Sequence, residues 1–318
     1  APWMKFWGAK WTTTTDSRTR SVIEGVARQY LDLGASSIQV DDPLMQYAAG
    51  ILGGDFSESS LNGFSKFLSA YPNQNELKRL GIAVGEHFDY KKFLSEKYGI
   101  NNSVDYKNRY RSLPTTYLWF AYLKGSVVSY FASFRSFLNT AHGKTVPLSM
   151  NLLLTGPDES NPKFQLANFA DYAMVETKID DLEAVSLQAA TYRAIGMGYA
   201  PSILPLTKSE NRAAIAMLYA MGAQPLVPWD VFINKDPEEK PSRFFGSPQD
   251  YADLFRFVAR NAVYFDNYEE VAVAGIVVPV DKYKSQQTLA LVRRLSKAQV
   301  PYALVLLGGI KERHMVDQ

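Results

Sequence analysis

The sequence predicts an α/β protein, a (β/α)8 TIM-type barrel that is incomplete within this chain, and three observations carry that expectation. Apolar strand-like runs alternate with helix-like stretches, several ending at glycine, which is the pattern of a parallel sheet with helices outside it. The chain has 318 residues, a length that suits one such barrel with a small appendage. One long insertion follows an early strand whose end carries two adjacent acids, and barrels place insertions of that kind on their functional face.

Residues 4–9 (MKFWGA) make the first strand candidate. The helix after it has Asp16 or Ser17 as its cap. Its apolar residues Val22, Ile23, Val26, Ala27, Tyr30 and Leu31 fall at three- and four-residue spacing, and Gly34 ends it. SSIQVDDP, residues 36–43, is the second strand. Further strands are expected at 146–154, 171–177, 198–206, 224–232, 271–280 and 301–307, with helices at 182–195, 209–221, 248–263 and 285–297. Six barrel strands are expected. The last two runs, around an amphipathic helix, read equally well as the start of a separate small α/β domain. The expected division is therefore 1–265 for the barrel and 266–318 for a small C-terminal α/β segment or the last barrel strands. On this reading part of the barrel or of the C-terminal domain lies outside the chain.

The segment 54–143 is the main irregularity, far longer than the usual βα loop of about 2–6 residues. It holds helix-like pieces at 60–71, 88–98 and 115–142. Following a barrel strand, it is expected to form a mostly helical wall of a cleft at the carboxyl ends of the strands.

Composition removes several classes of function. Thirty-four basic against 32 acidic residues give a net charge of +2, without the basic excess of a nucleic-acid binder. The absence of cysteine excludes disulfides, thiolate zinc sites and a Cys nucleophile, and is compatible with the periplasm or the exterior. VAVAGIVVPV is the length of a buried strand, far below the roughly 20 residues that cross a bilayer. The opening APWMKFWG contains no visible signal peptide, and a leader is expected to have been removed. His87, His142 and His314 are scattered outside any HxH or HExxH pattern, and no GxGxxG, GxxxxGK[ST] or GxSxG is present. Neither a metal nor a cofactor is expected. Aromatic residues make up 13% of the chain, including 19 Tyr and 5 Trp. Sugar clefts use such rings as platforms, though most of them equally fill a large core.

The residues suited to chemistry stand at strand ends. Two β-branched residues lead into Asp41 and Asp42, and Pro43 stops the strand. Neighbours point to opposite sides, so one aspartate can enter a cleft while the other orients it; alternatively, the pair only fixes a loop. DYAMVETK repeats the arrangement with Glu176, which either serves chemistry or pairs with Lys178. A second carboxylate at a second strand end meets the requirement of glycoside hydrolysis, where one group protonates the leaving oxygen and the other attacks the anomeric carbon or activates water. Asn151 ends VPLSMNLLL as an amide for a sugar hydroxyl. Trp229 and Asp230 offer a ring beside a carboxylate, and Trp7 and Trp11 follow the first strand. Asp55, in GGDFSES, is a further candidate ligand for a sugar or a Ca²⁺ ion.

GASSIQVDDP followed by GGDFSESSLNGFSKFL resembles the strand-end acid segment of β-galactosidase-like (β/α)-barrel glycoside hydrolases. VPLSMNLLL is similar to their strand ending in Asn, and FADYAMVET to the strand ending in a conspicuous Glu. NRAAIAMLYAMGAQPLVPWDVF is similar to the late strand that closes their active site. The run from VAVAGIVVPV to PYALVLL looks like the beginning of the Rossmann-like domain that follows. The resemblance implies Asp41 or Asp42 with Glu176 as acid/base and nucleophile, Asn151, Trp229 and Asp230 as subsite residues, and a poly- or oligosaccharide as substrate. Many relatives carry their acid/base on an Asn-Glu pair at the fourth strand, and here no such pair ends a strand. That departure leaves a second reading, a catalytically inactive barrel that binds carbohydrate or acts as a scaffold. Sugar identity, anomeric outcome and assembly into a homo-oligomer stay open.

Overall fold

The structure is a computed structural model describing residues 12–83, 87–141, 143, 145–152, 163–177, 179, 181–203, 207–226, 248–266, 271–279 and 285–307. It divides into two compact units, one drawn from 1–38, 42–146 and 160–162, the other from 39–41, 147–159 and 163–318.

The first unit is helical: α1 (Ser17–Asp32), α2 (Met45–Leu52), α3 (Glu58–Ser69), α4 (Gln74–Arg79), α5 (Tyr90–Tyr98), α6 (Ser103–Arg109) and α7 (Thr116–Ala141). Local chemistry sets the ends of these helices. The side chains of Asp16, Ser57, Asn73, Asp89 and Asn102 each accept a backbone N–H of the first turn, satisfying donors that have no partner within the helix. Gly99, at φ 65°, turns the chain out of α5. The 26-residue α7 is the spine against which α1, α2 and α3 pack. It buries Trp119, Leu123, Val127, Phe134 and Leu138 along one face at helical intervals, with Leu118, Phe120, Tyr122, Tyr130 and Phe131 buried beside it. An aromatic cluster fills the interior, with Phe64 and Trp119 edge to face at 4.9 Å and Phe56 beside Tyr106 at 5.1 Å. Glycine lets helices meet closely here: a Cβ at Gly63 would lie 2.1 Å from the Tyr122 hydroxyl.

The second unit is mixed α/β. Its main sheet has the order β1 (Ile38–Val40), β2 (Leu148–Asn151), β3 (Tyr172–Thr177), β4 (Gly198–Ile203), with β2, β3 and β4 parallel. A parallel bridge from Ser202 to Leu226 carries the pairing onward. Among the described residues the sheet does not close into a barrel. The helices are α8 (Lys163–Leu166), α9 (Leu182–Ala194), α10 (Lys208–Ala220), α11 (Ala252–Arg260) and α12 (Ala262–Phe265). Of these, α9 and α10 pack on β4, and the Tyr192 ring of α9 stacks on Tyr199 of β4 at 4.7 Å. A separate two-stranded parallel sheet, β5 (Ala274–Pro279) and β6 (Tyr302–Leu307), is joined through α13 (Gln286–Lys297). This βαβ unit rests on α9, tied by Ser186 to the Tyr302 hydroxyl at 3.1 Å and by Asp181 to Arg293 at 3.1 Å.

Of the strands expected at 36–43 and 146–154, the fold forms 38–40 and 148–151, the second with Asn151 as its last paired residue. Inside 54–143 the three expected helices are present, with α4 and α6 in addition.

Candidate functional site at the carboxyl ends of the strands

Alternation along β3 separates two faces. Ala173, Val175 and Thr177 are buried, whereas Tyr172, Met174 and Glu176 are more open. Aligned residues of parallel strands project to the same side, so the register assigns the neighbours. Thr177 aligns with Ile203 and Ala173 with Tyr199, and Tyr199 is the residue stacked on α9. That side therefore faces the helices. Burial pushes the Tyr199 phenol up to about 12, and it is hydrogen-bonded to the Thr177 hydroxyl at 3.0 Å.

The opposite side carries the polar row. Asn151 aligns with Met174, and Glu176 with Ser202, so Asn151, Glu176 and Ser202 share this side with Ser149. With strands about 4.8 Å apart and a rise of about 3.3 Å per residue, two residues of stagger put the Glu176 Cα about 8 Å from that of Asn151. Asp41 stands immediately beyond β1, and the Asn151 Nδ2 amide donates to its Oδ1 at 3.0 Å. Asp41 and Glu176 are both exposed and Asn151 is half-buried. Glu176 makes no hydrogen bond or ion pair among the described residues. Asp42 adopts φ 45°, a left-handed turn that aspartate tolerates better than most residues, and it belongs to the helical unit.

Asp55 also lies in the helical unit, and only 1% of it is exposed. Its Oδ2 accepts from the Thr13 hydroxyl at 2.8 Å and the Ser60 hydroxyl at 2.5 Å, and its Oδ1 from the Ser57 amide at 3.4 Å. Thr15 joins the same network at Ser60 (2.8 Å) and Thr13 (2.9 Å). Trp7, Trp11, Trp229 and Asp230 lie outside the described residues. Ser202 and Ser149 gave no signal in the sequence. Their place on the polar side follows from register, which a single strand does not reveal. Among the described residues no three His, Cys, Asp or Glu side chains gather as a metal site, and no helix is long and apolar enough to cross a membrane.

These features define a mixed α/β protein with parallel strands and acidic groups at their carboxyl ends. No protein-family model matches the chain, and no curated protein matches it by sequence. A solved structure, the β-galactosidase from the psychrophilic Marinomonas ef1, is similar in fold, with a TM-score of 0.54 and 11% sequence identity. The match covers 92% of this chain and 53% of that enzyme, so the chain spans about half of the enzyme's length.

Proposed function

We propose that the protein is a glycoside hydrolase of periplasmic or extracellular location, acting on a poly- or oligosaccharide by a two-carboxylate acid/base mechanism without a cofactor. The observation that carries this reading is the row Asp41–Asn151–Glu176 at the carboxyl ends of adjacent strands, in a fold similar to that of a β-galactosidase. Two carboxyl groups flanking a glycosidic bond suffice for the chemistry. One gives its proton to the leaving oxygen as the C–O bond breaks. The other takes the anomeric carbon as nucleophile, at a separation of about 5–5.5 Å, or activates water across about 6.5–9.5 Å. Asp41 and Glu176 are the proposed pair, with Asp42 turning the chain beside Asp41. Asn151, Trp7, Trp11, Trp229 and Asp230 are proposed to line the substrate. In the same reading 1–265 forms a (β/α) barrel with 54–143 as its helical insertion, and 266–318 begins a small Rossmann-like domain.

The test replaces Glu176 by glutamine, which keeps shape and removes the proton. Released reducing ends are measured over a polysaccharide panel together with β-galactosides. Turnover should fall about 10²–10⁴-fold, while sugar binding stays detectable by calorimetry. Wild-type protein that binds a glycan and hydrolyses none would establish the inactive binding barrel instead.

A further inference from the structure

The two carboxylates of the polar row are set differently, and the difference assigns their roles. Asp41 is held: the Asn151 amide donates to Oδ1 at 3.0 Å. Asn151 is the last residue of β2, and its backbone sits in the parallel ladder beside Met174. The contact fixes one oxygen of Asp41 and leaves Oδ2 aimed by the geometry of the first. The next residue, Asp42, takes a left-handed conformation at φ 45° directly after Asp41. Glu176 has none of this restraint. It has the longer side chain, it is exposed, and it makes no hydrogen bond or ion pair among the described residues. A group that gives its proton to the leaving oxygen and later exchanges one with water has to come within hydrogen-bond reach of both in turn, which an exposed, untethered side chain can do. A nucleophile or base benefits from fixed aim.

We infer that Asp41 is the fixed anion facing the anomeric carbon, that Glu176 is the proton donor, and that Asn151 is a positioning residue acting through Asp41. The inference rests on the glycoside hydrolase reading. As the glycosidic C–O bond breaks, its electron pair stays on the leaving oxygen, which takes the Glu176 proton. The anomeric carbon gains a bond either to Asp41 Oδ2 or to a water oxygen whose proton passes to Asp41. In the first case water later hydrolyses the ester and returns its proton to Glu176.

The experiment uses the full chain and paired glycosides, phenyl and dinitrophenyl, of galactose, glucose, mannose and their disaccharides. Dinitrophenolate departs without protonation, so it bypasses the acid. Glu176→Ala should lose about 10²–10⁴-fold on the phenyl glycoside and stay within roughly tenfold of wild type on the dinitrophenyl one. Asp41→Ala should lose on the order of 10³-fold on both. Asn151→Ala should lower kcat about 10–100-fold on both, the strength of a hydrogen bond to a charged group, with KM little changed. In the Asp41→Ala background the Asn151 substitution should add less than about twofold, because its partner is gone. Melting curves check folding, and Asp41→Asn replaces Asp41→Ala if the latter does not fold. Retained dinitrophenyl cleavage in Asp41→Ala but not in Glu176→Ala would overturn the assignment by reversing it. Full additivity of Asn151→Ala with Asp41→Ala would overturn the positioning role. Wild type that cleaves none of these glycosides and no polysaccharide would sink the hydrolase reading, and the assignment with it.

Discussion

Asp55 reads in the sequence as a candidate ligand for sugar, and its surroundings make a sharper prediction: it anchors the segment before α1 to the start of α3. An ionised carboxylate only accepts. Here its oxygens take up the hydroxyl protons of Thr13 and Ser60 and the amide of Ser57. Asp55→Ala would leave three donors without their acceptor, the buried Thr13 and Ser60 hydroxyls and the half-buried Ser57 amide, each costing up to about 1–3 kcal/mol if it found no partner. Thr13 and Ser60 both have Thr15 within hydrogen-bonding reach, at 2.9 and 2.8 Å, so two of the three can partly re-pair. The sum then falls to about 2–4 kcal/mol, mostly the long-bonded Ser57 amide, imperfect hydroxyl geometry and the small void. The assay is denaturant unfolding followed by the helical circular dichroism signal, with a melting curve alongside. At roughly 2–4 °C per kcal/mol, the melting point should drop by roughly 5–15 °C. Asp55→Asn should lose less, since one acceptor oxygen remains. If Asp55→Ala melts with the wild type while sugar affinity collapses, the anchor argument is refuted and Asp55 is a ligand after all.

Gly63→Ala should destabilise by about 1–3 kcal/mol in the same titration, because its Cβ would meet the tip of the Tyr122 ring, which packs against Trp119. Thr207→Ala should remove the capping box with Glu210 at the start of α10 and cost about 0.5–2 kcal/mol, read as a lower unfolding midpoint. Burial raises the phenols of Tyr90, Tyr106, Tyr122 and Tyr130 above their usual range. The folded state therefore keeps protons that the unfolded chain releases above about pH 10. Stability should be level below that pH and fall above it, by up to about 1.4 kcal/mol per pH unit for each tyrosine. Alkaline unfolding followed by tyrosinate absorbance checks this, and a midpoint unmoved by high pH would contradict it.

What local chemistry decides was legible in the sequence. Asp16 caps α1 and Gly34 follows it at φ 98°; the strands at 172–177, 274–279 and 302–307 fall inside the runs expected for them. What depends on distant partners was not. The eight residues of α2, MQYAAGIL, are apolar almost throughout and lack a side-chain cap, so no periodic signal separates them from a loop or a strand; packing against α7 makes them a helix. The burial of Asp55 is likewise set by a distant partner, since the Thr13 hydroxyl that reaches its carboxylate lies 42 residues upstream.

The candidate site shows the same limit more finely. SSIQVDDP and DYAMVETK are the same pattern, an apolar strand that ends in acid, yet one acid is clamped and the other makes no hydrogen bond or ion pair among the described residues. The cause lies in the neighbouring strand. Beside Asp41, β2 ends in Asn151, whose amide is long enough to reach the carboxylate. Beside Glu176, β4 presents Ser202, whose hydroxyl sits close to the backbone while the glutamate carboxyl lies three bonds out along its chain. An Asn at that aligned position would be able to clamp Glu176 as Asn151 clamps Asp41. It follows that Ser202→Asn should restrain the Glu176 carboxylate and slow proton transfer more on poor leaving groups than on good ones. The same substitution would leave dinitrophenyl glycosides nearly untouched, and an equal loss on both would mean that Ser202 acts on the substrate rather than on Glu176.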